Sequence, residues 1–509
     1  MSALLVAGTT SDAGKSVVTT ALCRAFARRG VRVAPFKSQN MSNNSMVVPL
    51  RGPGGGAGPG AAGQHGEMGR AQWVQARAAH MEPEVAMNPV LLKPGTDRRS
   101  HVVVMGRPGG SLDAADFGSG RAHLAQAAFA AFDDLRSRVD LVVAEGAGSP
   151  AEINLRAHDY VNMGLARHGD LPTVVVGDID RGGVFAALHG TVALLEPADQ
   201  ALVCGFVLNK FRGDVSLLAP ALERLTALTG RPFHGVLPWD PNLWLDSEDA
   251  LDLEGRRATD RDEALRVVVV RLPRISNFTD VDALGLEPGV DVVFATRPQE
   301  LDGADLVVLP GTRATIADLA WLRDRGLDVA VRRHREAGRA VLGICGGAQM
   351  LGTVIRDVDG VEGPAGAEVE GLGLLDTSTE FGADKVLRLP SGQGLGQPVS
   401  GYEIHHGRLT VGPGLDELPG GATDGVAFAT MWHGSLESDG FRRALLTHAA
   451  SLVGRPPVTS DVVFEDARER RLDLLGDLAE QHLDVDGLLD LARRGAPAGL
   501  PVVPSGVGG

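Results

Sequence analysis

At 509 residues, with 44% hydrophobic and 22% charged side chains, the chain is globular in composition and too long for one ordinary core, so two to four domains are expected. A net charge of −15 and 4% aromatic residues argue against a nucleic-acid surface. Cys23, Cys204 and Cys345 are far apart and odd in number, which argues against a disulfide framework, and no pair has zinc spacing; the absence of a long apolar run or apolar leader predicts a cytoplasmic protein with no membrane partner.

The first strand is predicted at residues 3–7, followed by Gly8-Thr9-Thr10-Ser11-Asp12-Ala13-Gly14-Lys15-Ser16 and a helix from about Val17. Backbone amides in such a loop cradle phosphates at the positive end of a helix. The expected nucleotide ligands are Thr9, Ser11, Asp12, Ala13, Gly14, Lys15 and Ser16, with Lys15 neutralising the β and γ phosphates and the Ser16 hydroxyl on Mg²⁺. Further apolar strands follow at 31–36, 141–144, 173–176 and 204–208, alternating with helices, which predicts a parallel sheet buried on both faces. Glu145 ends the strand at 141–144, at the sheet edge where ligands bind, and is the first carboxylate expected on Mg²⁺. Asp178 and Asp180 end the next strand and suit metal or substrate, while Asn209 follows the last one, where an amide can read an adenine edge.

One stretch is a decoy. Gly58-Pro59-Gly60-Ala61-Ala62-Gly63 formally matches a dinucleotide fingerprint, but no strand precedes it and no amphipathic helix follows closely, so residues 51–66 read as a Gly/Pro-rich insertion in the first domain. Residues 1–236 form that domain, and 237–264 read as an acidic linker. A second α/β domain spans 265–452, with strands at 266–270, 291–295, 306–309 and 341–344. Residues 453–509 are read as a partly helical tail whose last dozen residues are disordered.

Cys345 occupies a glycine-flanked turn, Gly343-Ile344-Cys345-Gly346-Gly347, between a strand and a helix. Such an elbow exposes a nucleophile, and the helix N-terminus favours the thiolate. His433 lies 88 residues further on, where it can act as general base and acid. Backbone N–H groups of Gly346 and of Gly311, which ends another strand, suit an oxyanion hole. His405 and His406 are adjacent on a strand, point to opposite faces and make a poor joint metal site.

The order Cys345 then His433 resembles class I glutamine amidotransferases. Those enzymes carry a Glu two positions after the His, where this chain has Ser435, with Glu437 two further on, so the third member of the triad is missing or displaced. Five residues between the loop glycines resemble the dethiobiotin-synthetase-like branch of P-loop proteins. Longer runs are more specific: Lys37-Ser38-Gln39-Asn40-Met41-Ser42-Asn43-Asn44-Ser45, Gly69-Arg70-Ala71-Gln72, Glu145 through Leu155, and Gly177 through Phe185. With them the chain resembles the cobyric acid synthases, glutamine-dependent amidotransferases of cobalamin biosynthesis, over residues 2 to 450; this branch shares the missing Glu.

The resemblance implies a P-loop NTPase-like sheet joined to a class I glutamine amidotransferase α/β domain, with ATP, Mg²⁺, glutamine and a corrinoid as ligands. It implies amidation of the b, d, e and g carboxylates of adenosylcobyrinic acid a,c-diamide. It also suggests Glu67 as a second metal ligand, and Lys37, Asn40, Asn43, Asn44, Asp178 and Arg181 along the substrate cleft. The alternatives are a cobyrinic acid a,c-diamide synthase or other carboxylate amidase and, more distantly, a partition-type P-loop ATPase. The number of associating chains is left open, a homo-oligomer included.

Overall fold

The computed structural model describes residues 2–50, 64–94, 99–113, 121–240 and 264–504. Most of the Gly/Pro-rich insertion and of the acidic linker fall outside the described residues. The chain forms two compact units.

Six parallel strands make the first sheet: β1 (Ser2–Gly8), β2 (Val33–Phe36), β3 (Leu141–Glu145), β4 (Thr173–Asp178), β5 (Val203–Phe211) and β6 (Phe233–Pro238), in the order β6-β5-β4-β1-β3-β2. Their runs of Val, Leu and Ala are buried on both faces because helices cover the sheet. β1 sits centrally, between β4 and β3, so the loops after all three strands converge at one carboxyl edge. The segment read as a decoy is in fact preceded by a strand, Ser45–Pro49, and His65–Gly69 and the helix Arg70–Ala78 come soon after it.

The tail does not hang loose. Arg468–Gly509 belongs to the first unit and carries the helix Val485–Arg494 and all but the start of Phe464–His482. Leu472, Leu475, Ala479 and Leu488 join the same apolar cluster as Val18, Leu22 and Phe26 of the helix α1 (Lys15–Arg28). Around this seam Arg24 pairs with Glu469 (2.8 Å) and Asp473 (2.7 Å), and Arg28 with Asp473 (2.7 Å) and Asp477 (2.6 Å). Part of the end expected to be disordered is anchored as well: Arg231 Nη1 donates to the Pro501 carbonyl, and Val503 N–H donates to Gln200 Oε1 (2.8 Å).

The second unit comprises Asn43–Val47 and Ser247–Ala467. Its main sheet contains β7 (Leu265–Val270), β8 (Val290–Ala295), β9 (Leu306–Leu309), β10 (Ala340–Ile344), β11 (Asp416–Leu418), β12 (Gly421–Thr423) and β13 (Ala427–Thr430), in the order β8-β7-β9-β10-β13-β12-β11. The first five neighbours run parallel, and the last two strands are antiparallel additions. Asn277, left-handed at φ +49°, accepts the Ser45 N–H (2.9 Å) within this unit.

Candidate functional site

In the first unit, β1 ends in a tight turn at Ser11–Ala13, and α1 begins at Lys15 rather than near Val17. Gly14 makes the difference: at φ +95° it caps the helix, and a Cβ there would lie 1.9 Å from Asn209 Nδ2. Asn209 is buried, and its amide donates to the Ala13 carbonyl (3.0 Å), so the side chain braces the loop. Thr9 N–H is spent on the Val176 carbonyl (2.9 Å). Lys15 Nζ donates to three carbonyls, Thr10 (2.8 Å), Ser11 (3.1 Å) and Gly148 (3.1 Å), at the mouth of the loop.

Ser16 Oγ donates to Glu145 Oε1 (2.9 Å), which brings together the two side chains most expected at a metal. Glu145 also accepts from Lys37 Nζ (2.8 Å) and Gln75 Nε2 (2.6 Å). Burial pushes its pKa up, but Lys37, Gln75 and Lys15 outweigh that and hold the carboxylate below its ordinary range. Lys37, expected at the substrate, is therefore buried on Glu145, and Glu67 forms its own buried ion pair with Lys93. Among the described residues no group of three or more His, Cys, Asp or Glu side chains forms a metal cage. Asp178 pairs with Lys210 (2.8 Å), the exposed Arg181 with Asp12 (2.9 Å), and Arg212 with Asp180 (3.2 Å). Asn40 is buried and donates to Gln72 Oε1 (3.1 Å), whereas Asn43 and Asn44 fall in the second unit.

In the second unit Cys345 has φ +50° and ψ −108°, a backbone conformation that costs a non-glycine residue about 1–3 kcal/mol. Glycines make it attainable. A Cβ at Gly347 would lie 1.9 Å from the Leu309 carbonyl oxygen, and one at Gly343 would lie 2.7 Å from Ala348 N. The short helix Gly346–Leu351 starts at once, as an elbow requires. Gly346 packs on Thr312, its would-be Cβ 3.0 Å from Thr312 N, while Gly311 faces the His433 ring, 2.8 Å from Cε1 by the same measure.

The third group is present, but it comes from elsewhere in the chain. Asp280, in the short turn Phe278–Val281, binds His433 Nδ1 through Oδ2 (2.6 Å) and accepts the Gly434 N–H at Oδ1 (2.8 Å). Burial alone would lower the histidine pKa. Asp280 and then Cys345 overcome this and raise it to about 10. Neither Ser435 nor Glu437 takes that place on the imidazole. The sequence offered no spacing signal for Asp280, which lies 153 residues before the histidine. Tyr402 stacks on His433, ring centroids 5.3 Å apart.

Beside the elbow, the Thr315 hydroxyl lies between Gln349 Oε1 (3.0 Å) and Glu362 Oε1 (3.1 Å), and Ile316 N–H donates to Glu362 Oε2 (3.0 Å). Burial pushes the Glu362 carboxyl up to about 7, against the Ile316 N–H, the Arg313 charge and the Thr315 hydroxyl. One hydroxyl proton cannot serve two acceptors at once, so Thr315 donates to one of the two oxygens. Gly407, after His405 and His406, packs on Gln349, a Cβ there meeting Nε2 at 2.5 Å. Cys23 and Cys204 are buried, and burial pushes both thiols up, Cys204 to about 11.

The two halves match known families separately. Residues 4–252 match the CobQ/CobB/MinD/ParA nucleotide binding domain, and residues 266–441 match the CobB/CobQ-like glutamine amidotransferase domain. Fold and site thus define a glutamine-dependent amide ligase. The cobyric acid synthase of Mycolicibacterium gilvum is 68% identical over 506 residues, covering 99% of this chain and all of that protein. That of Mycobacterium marinum is 67% identical over the same length and coverage. The chain belongs to the cobyric acid synthases, the family that carries out amidation in cobalamin biosynthesis. A solved glutamine amidotransferase, 23% identical, aligns over 37% of this chain and 98% of its own with a TM-score of 0.29, too loose a likeness to argue from. No helix among the described residues is long and apolar enough to cross a membrane.

Proposed function

We propose that this chain amidates the b, d, e and g carboxylates of adenosylcobyrinic acid a,c-diamide in the cytoplasm, taking nitrogen from glutamine and energy from ATP. The observation that carries the reading is the pairing, in one chain of this family, of a phosphate loop with a Cys345–His433–Asp280 constellation.

A carboxylate does not accept an amine until one of its oxygens can leave. At the phosphate loop a carboxylate oxygen attacks the γ-phosphorus, the bond to the bridging oxygen breaks, and ADP departs from an acyl phosphate. Lys15 moves from its carbonyl partners to the phosphates, and the amides from Ser11 to Ser16 receive the remaining charge. Ser16 and Glu145 suit Mg²⁺, an ion that keeps most of its water and uses few protein ligands; when bound it supplies charge neutralisation on the phosphates. Lys37 fixes Glu145 for that role.

At the elbow, the Cys345 thiolate attacks the glutamine amide carbon. The developing oxyanion is received by the N–H groups of Gly346 and the Gly311–Thr312 turn, a role supported by the packing of Gly346 on Thr312 and of Gly311 on His433. His433, kept cationic by Asp280, hands its proton to the departing nitrogen. Ammonia leaves, and His433 then takes a proton from the water that releases glutamate from the thioester. Gln349 and Glu362 hold the amino-acid end of glutamine, the Glu362 carboxylate receiving its ammonium. Ammonia finally attacks the acyl phosphate and expels inorganic phosphate.

Cobyrinic acid a,c-diamide synthesis is the competing reading. Supplying both acceptors separately tests the two: amidation of the a,c-diamide supports the proposal, and amidation of cobyrinic acid alone overturns it.

A further inference from the structure

A cavity of about 370 Å³ opens beside the phosphate loop of the first unit, and none of the residues expected at the substrate lines it. It starts at Ser11 and Gly148, and the Gly148 carbonyl accepts from Lys15 Nζ (3.1 Å). An acceptor oxygen that attacks the γ-phosphorus has to arrive from such a position.

Charged groups of both signs line it: Arg121 and Arg156, and the carboxylates of Glu152 and Asp159. Arg121 lines it and is 8% exposed, its guanidinium 5.8 Å from the Tyr160 ring centroid. Gln39 Oε1 accepts both from Arg121 Nη2 (3.2 Å) and from the Tyr160 hydroxyl (2.5 Å), which fixes the plane of the guanidinium. Arg156 is bidentate on Asp199 (2.5 and 2.8 Å), and Asp159 accepts backbone N–H groups from Val161, Asn162 and Gly164. The rim is different in kind: Met41 (49% exposed) and Leu155 (40%) line the mouth, and Ile153 (61%) stands two residues before Leu155. An apolar rim around a buried cation fits an amphipathic acid. At roughly 30 Å³ per water-sized group, the cavity holds on the order of a dozen heavy atoms, enough for a carboxylated side arm and far short of a macrocycle.

We propose that this cavity receives one carboxylated arm of the acceptor at a time, Arg121 binding the carboxylate, while Met41, Ile153 and Leu155 take the apolar edge of the ring that bears it. The inference rests on the amidation reading above and assigns that reaction its specificity-determining residues.

The test is steady-state amidation of the a,c-diamide by the full chain, with KM measured separately for corrinoid, ATP and glutamine. Losing a charge-assisted contact should raise the corrinoid KM of Arg121→Gln about tenfold to a hundredfold, leaving the ATP and glutamine values in place. Arg121→Lys should recover part of the loss. Leu155→Glu, at an exposed position that folding does not depend on, should also raise the corrinoid KM by repelling a polyanion. An active wild type whose corrinoid KM is unmoved by both Arg121→Gln and Leu155→Glu, or moves together with the ATP KM, overturns the cavity assignment alone. A wild type that amidates no corrinoid overturns the functional reading and this inference with it.

Discussion

Replacing Asp280 with Asn removes one charge and keeps the shape of the side chain, so it isolates what that charge does for His433. The histidine is held at about 10 against an ordinary value near 6.5, and at about 1.4 kcal/mol per pH unit this is a preference of about 5 kcal/mol for the imidazolium. Burial opposes that preference, so it comes from Asp280 first and Cys345 second. An Asn can still accept the Gly434 N–H, but its amide group then donates to Nδ1, so it no longer favours a charged ring and leaves the proton on Nε2, the wrong tautomer. The glutaminase kcat should fall by about 10²- to 10⁴-fold, while amidation driven by high ammonium stays at the wild-type rate. Stability gives a second readout with a definite sign. The folded-state pKa is raised, so the stabilisation is full below about pH 6.5, declines above it and is gone beyond about 10. The gap in Tm between wild type and Asp280→Asn should be widest at the acid end and close on the alkaline side. A variant that hydrolyses glutamine within about threefold of wild type would refute the role given to Asp280.

Cys345→Ala should lose glutamine-driven synthesis and keep the ammonium-driven reaction, whereas Lys15→Ala should lose both; ammonium-driven product from the lysine variant would remove the phosphate loop from the reaction. Gly347→Ala pushes a Cβ to 1.9 Å from the Leu309 carbonyl, so it should lower stability by at least about 1–3 kcal/mol by overpacking, read from thermal melting. The glutamine KM should fall as pH rises through about 7, where Glu362 ionises, and Glu362→Gln should be weak and flat across that range. A wild-type glutamine KM without pH dependence there would remove the carboxylate from ammonium binding.

The readable parts of this chain were those whose determinants lie close together in sequence. The elbow at Cys345 and the loop from Gly8 to Ser16 each fit within a strand, a turn and a helix start, where small residues carry conformational meaning. Strand positions in both units were legible for the same reason, because β-branched runs buried on two faces have little else to become. Asp280 was invisible because an acid in a short turn has no local signature, and its partner lies 153 residues away. The C-terminal helices were hidden similarly: their acids alternate with apolar residues as on any amphipathic surface helix, and the arginines they meet on α1 are 445 to 449 positions distant. Resemblance alone places Lys37 along the substrate cleft, and nothing local in the sequence marks its ion pair with Glu145, 108 positions away.

Mass spectrometry of a corrinoid a,c-diamide incubated with the full chain, Mg²⁺-ATP and glutamine reads the proposed amidation itself. Four successive acid-to-amide mass changes that vanish when ATP is withheld are expected. An a,c-diamide that stays unchanged while cobyrinic acid gains amides, or amidation that proceeds without ATP, would contradict the proposal.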